Sequence, residues 1–150
     1  MKKVIVFLVL ILLSSPSFSQ VVVDPGASEI GVAVKRTHTE GQSVVIDLMV
    51  TCYASAWRRI GFGDDKSSVY DDEGNLYRLG SGSIVIQGDN SWGELQVEKD
   101  IPRKMKVIVK NVDEYATAFP LIKLYYSASG DNGGIKQSLV TIKNLPIQRQ

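Results

Sequence analysis

Six oxygen-bearing residues lie close together in this chain: Asp64, Asp65, Asp71, Asp72, Glu73 and Asn75. Calcium takes several oxygen ligands from one loop, so segment 64–75 is the best candidate for a cation site. The spacing argues against it. Asp71 to Asn75 departs from the D-x-D-x-D-G order, and the twelfth position counted from Asp71 is Gly82 instead of Glu. Asp and Asn form Asx turns and tolerate left-handed backbone, which accounts for these residues without a metal. The expectation is no metal and no cofactor, with calcium at 64–75 left open.

The remaining chemical inventory is thin. His38 is the sole histidine, which removes most metal sites and most histidine-based triads. No Gly-x-Ser-x-Gly elbow, Ser-x-x-Lys pair or phosphate-binding glycine loop occurs. Gly61-Phe62-Gly63 has no helix after it, so strand-end glycine is the simpler reading. Cys52 stands alone in the β-branched run SVVIDLMVTCY. A reactive thiol needs a cationic or histidine partner, and nothing links Cys52 to His38, so Cys52 reads as a small core residue. No catalytic residue is expected, and the chain is not read as an enzyme.

Binding chemistry has one candidate. Trp92 lies in the polar segment Gly88-Asp89-Asn90-Ser91-Trp92-Gly93. An exposed Trp there would stack on a sugar or anchor a partner, with Asp89 and Asn90 beside it; a Trp folded back over the end of the domain is the alternative. The basic pairs Lys35-Arg36 and Arg58-Arg59 are too short for a binding tract and read as solvated strand or loop residues. Acidic and basic residues nearly balance, so nucleic acid is not expected as a partner.

The N-terminus carries a targeting pattern. Lys2 and Lys3 precede the apolar run Val4 to Leu13, followed by Ser14-Ser15-Pro16 and the small-x-small triplet Ser17-Phe18-Ser19. That order predicts a signal peptide over 1–19, cut after Ser19. The apolar run is half the about 20 residues a membrane span needs. Gln20 stands where a lipoprotein would need Cys. The expectation is a periplasmic or secreted bacterial protein without a membrane span. Its single cysteine allows no internal disulfide.

The chain after Ser19 shows no sustained helical period. It reads as short alternating runs between clusters of Gly, Asp, Asn and Ser, the pattern of a sandwich or barrel. Strands are expected at about 30–36, 43–53, 57–62, 69–70, 76–79, 83–87, 94–98, 104–110, 121–128 and 137–144, with a polar loop at 63–68. Val44, Ile46, Leu48, Val50 and Cys52 should face the core, and Val45, Asp47, Met49, Thr51 and Tyr53 the wetter side. Met105, Val107, Val109, Ile122 and Leu124 should oppose the first set, and Trp57, Ile60 and Phe62 should join them. Residues 112–119 tolerate a short helical turn. Residues 20–29 read as a loose extended leader, and 30–150 as one β-sandwich domain with a jelly roll as rival.

The hairpin Tyr70-Asp71-Asp72-Glu73-Gly74-Asn75-Leu76-Tyr77, then Ser83-Ile84-Val85-Ile86, then Ile101-Pro102-Arg103-Lys104-Met105-Lys106-Val107, resembles secreted bacterial immunoglobulin-like domains of unknown function. Their hallmark is an Asp-x-x-Gly-Asn-x-Tyr hairpin. The likeness spans roughly Ile30 to Ile142. It implies an antiparallel two-sheet immunoglobulin-like sandwich and brings no activity with it. The antibody pattern is absent, since there is no second Cys. Taken together, the expectation is a non-enzymatic exported module with a protein-binding or structural role at the bacterial envelope. Its partner would be another envelope or extracellular protein, or a glycan held through Trp92.

Overall fold

Alternation of β-branched and polar residues sets two faces on each strand, and the computed structural model, which describes residues 19–87, 94–130 and 134–149, pairs those strands into two antiparallel sheets. In chain order they are β1 (Val22–Asp24), β2 (Ile30–Glu40), β3 (Ser43–Cys52), β4 (Trp57–Tyr70), β5 (Leu76–Arg78), β6 (Ile84–Ile86), β7 (Glu94–Gln96), β8 (Pro102–Val109), β9 (Ala118–Gly130) and β10 (Ile135–Pro146). One sheet runs β1-β10-β9-β4-β5, with β7 also on β4; the other runs β2-β3-β8-β6. The two sheets are antiparallel and do not close into a barrel, which makes the fold a two-sheet β-sandwich.

The expected core is present. Val44, Ile46, Leu48, Val50, Cys52, Met105, Val107, Val109, Ile122 and Leu124 are all buried, as are Ile60, Phe62 and Tyr126. Phe62 and Tyr126 pack as a tilted ring pair across β4 and β9, 5.8 Å between centroids. Trp57 is only partly buried, with Lys136 Nζ 5.8 Å above its ring.

Four local expectations change. Residues 63–68 are not a loop between strands but a bulge inside β4: Gly63 pairs with Tyr125 and Ser68 with Lys123. Buried Ser67 plugs it, donating to the Gly63 carbonyl at 2.6 Å and accepting the Tyr125 N–H at 2.9 Å. Residues 112–117 form turns instead of a helix, because neighbouring side chains take their backbone donors. The extended leader is not loose, since Val22–Asp24 pairs with Thr141–Lys143 on β10. Val45 lies on the outer face as expected but is fully buried there, flanked in register by His38 and Ile108.

Strand β2 runs beyond Arg36 to Glu40 by means of a bulge at Lys35. Strict alternation from the inward positions Ile30, Val32 and Val34 would send Arg36 and His38 into the core. Burying a lone charge costs several kcal/mol. The extra residue restores the phase: Arg36 pairs with Asp47 and His38 with Val45 on the outside, while Thr37 turns inward opposite Ile46 and is buried. Bulge and charge together also blunt an exposed edge strand.

Candidate functional site

Within the acidic segment, Asp71 and Asp72 form a structural tie. Gly74 takes φ 89° and closes the hairpin after Asp71. The Asp71 carboxylate is buried. Its Oδ1 accepts the N–H groups of Glu73 at 3.1 Å and Asn75 at 2.8 Å, and its Oδ2 accepts Asn75 Nδ2 at 2.9 Å and the Tyr77 hydroxyl at 2.6 Å. Tyr77 Oη in turn accepts the Asp113 N–H at 3.0 Å. Asp72 accepts the Thr117 N–H at 2.9 Å and the Thr117 hydroxyl. Burial pushes both carboxyls up, but these donors outweigh it and hold both below the ordinary value. Burial and the Asp71 carboxylate push the Tyr77 hydroxyl up. Both carboxylates therefore point at hydrogen-bond donors within the fold. Among the described residues no cluster of His, Cys, Asp and Glu is arranged to hold a metal ion.

Cys52 is buried, and burial pushes its thiol up; its Sγ approaches the Ala54 carbonyl at 3.5 Å. Cys52 ends β3 opposite Ile30, whereas His38, on β2, pairs with Val45 near the other end of β3. The fold does not bring them together. Trp92, Asp89 and Asn90, the sequence candidates for ligand contact, lie outside the described residues.

A concave surface lies elsewhere, on the outer face of the β2-β3-β8-β6 sheet. Pairing lays the side chains out in rows across the strands. One row is Ala33, Met49 and Lys104; the next is Arg36, Asp47, Lys106 and Val85. A groove of about 550 Å³ opens over these rows, lined by Lys35, Arg36, Asp47, Met49, Val85 and Lys106, with Lys104 and Gln87 at one side. Val85 is 45% exposed, high for an aliphatic residue in mid-strand. Arg36 Nε donates to Asp47 Oδ2, and His38 Nδ1 lies 3.9 Å from the same oxygen while its Nε2 meets Glu40 at 3.0 Å. That leaves Lys35, Lys104 and Lys106 with no carboxylate partner among the described residues. An apolar floor with a cationic rim can hold an anionic, partly apolar chain.

Sequence reasoning set these cations aside as solvated residues. The missing signal was the register: Lys35 and Arg36 come from β2, Lys104 and Lys106 from β8, and Val85 from β6. No protein-family model and no curated protein matches the chain. Among the described residues no helix is long and apolar enough to cross a membrane.

Proposed function

We propose that the chain is an exported, non-catalytic binding domain of the bacterial envelope, akin to secreted immunoglobulin-like modules, that engages another protein through the outer face of its β2-β3-β8-β6 sheet. The observation that carries this reading is the groove over Met49 and Val85. The groove sets an exposed mid-strand valine and Met49 within a cationic frame, an apolar floor with a polar rim that a partner chain can fill. The export pattern in 1–19 supports the location.

A photo-crosslinking residue in place of Val85, with one in place of Thr141 on the other sheet as control, tests it in intact cells that make the protein. The expected result is a discrete adduct with a second protein from position 85 and none from position 141. Recovery of monomer alone from position 85, across growth conditions, would remove the proposal.

A further inference from the structure

We infer that the groove's partner is an acidic, extended peptide segment carrying apolar residues between its carboxylates. This deepens the binding-domain reading above and rests on it. Charge complementarity decides the sign. Four cations line or flank the groove, and its single carboxylate, Asp47, is already engaged by Arg36. The chain as a whole has nearly equal numbers of acidic and basic residues, so this face is a local departure from balance and not a reflection of net charge.

Spacing decides the shape. Lys104 and Lys106 are two residues apart on β8, about 7 Å along the strand. The β2 cations lie two strands away, about 10 Å across the sheet. An extended chain laid over Met49 turns every second side chain to the groove, so a carboxylate and an apolar residue taken in turn along that one face would meet the cations and the floor. Methionine adapts its shape to varied partners. The described lining holds no aromatic ring, which sugars and single-stranded nucleic acids use as stacking platforms. A concave floor also suits an inserted chain better than a flat lipid surface.

The test is fluorescence anisotropy with a labelled peptide in which every second residue is glutamate or leucine in turn, with serine between them. A version with lysine for glutamate, heparin, and vesicles of phosphatidylglycerol serve as the other probes. The protein variants are Lys104→Glu/Lys106→Glu in the groove and Lys123→Glu/Lys143→Glu on the outer face of the other sheet, each checked for a wild-type urea midpoint. The acidic peptide should bind wild type, weaken as salt rises, and lose about ten-fold or more in affinity to the groove variant. The control variant should stay within about two-fold, and the lysine peptide should not bind. No binding of the acidic peptide, equal losses in both variants, or preferential binding of heparin or vesicles would overturn the inference. If the peptide fails while the position-85 adduct still forms, the acidic assignment falls and the binding domain stands. If both fail, the binding reading falls with it.

Discussion

At the β4–β5 hairpin, the Asp71 and Asp72 carboxylates turn toward the protein and accept bonds from Glu73, Asn75, Tyr77 and Thr117. On the outer face of β3 and β8, Lys104 and Lys106 turn away from it, above Met49 and beside Val85. Both regions concentrate charge. In the first, a buried charge is held by several donors, and withdrawing any of them leaves unsatisfied groups, which is costly. In the second, water already solvates the ammonium groups, so the fold gains little from them. Two carboxylates that look like metal chemistry in the sequence, Asp71 and Asp72, are tied into the fold, and lysines that look incidental line the candidate site.

Four substitutions sharpen or break that contrast. The largest effect belongs to neither region: Leu48→Ala, beneath the groove in the shared core, should cost about 2–5 kcal/mol in urea melts. A loss much below this range would undermine the assigned register. Tyr77→Phe removes one donor to Asp71 and one acceptor for Asp113, and should cost about 1–3 kcal/mol by the same measurement. A neutral result would mean the hairpin tie is ornamental.

The pH dependence is smaller but distinctive. A carboxyl held below its ordinary value of 3.8 in the folded state contributes stability that is fully present above 3.8. That contribution is lost as pH falls through the lowered folded value. The stability gap between wild type and Asp71→Asn should therefore hold constant from neutral pH down to about pH 5 and narrow below 3.8. A gap that stays constant through acid would show that the Asp71 charge plays no part. The smallest effect is expected for Lys106→Ala, within about 0.5 kcal/mol of wild type.

Much of the fold was legible in the sequence because period-two alternation survives wherever one face is dry. Val44 to Cys52 and Met105 to Val109 show it plainly, and their burial follows. Alternation fails where a bulge changes the phase. Lys35 lies between Val34 and Arg36 with no local mark, and only the cost of burying Arg36 and His38 calls for it. The Gly63–Ser68 segment reads as a loop because its polar residues break the pattern, whereas Ser67 supplies the hydrogen bonds that let β4 continue. The helical turn expected within 112–119 is overridden at a distance by Tyr77 and Asp72, which take the N–H groups of Asp113 and Thr117. The groove was not legible for a related reason. Its residues are scattered over β2, β3, β6 and β8, and a binding surface assembled by register leaves no run in the chain.

The contrast between the two charged regions is tested most directly by urea melts at neutral pH of Asp71→Ala beside Lys104→Ala/Lys106→Ala. Removing the Asp71 carboxylate should lower stability by about 3 kcal/mol, because it strips the acceptor from four donors at once. Removing both lysines should leave stability within about 1 kcal/mol of wild type. Equal losses, or a larger loss from the lysine pair, would contradict the division of structural and binding roles.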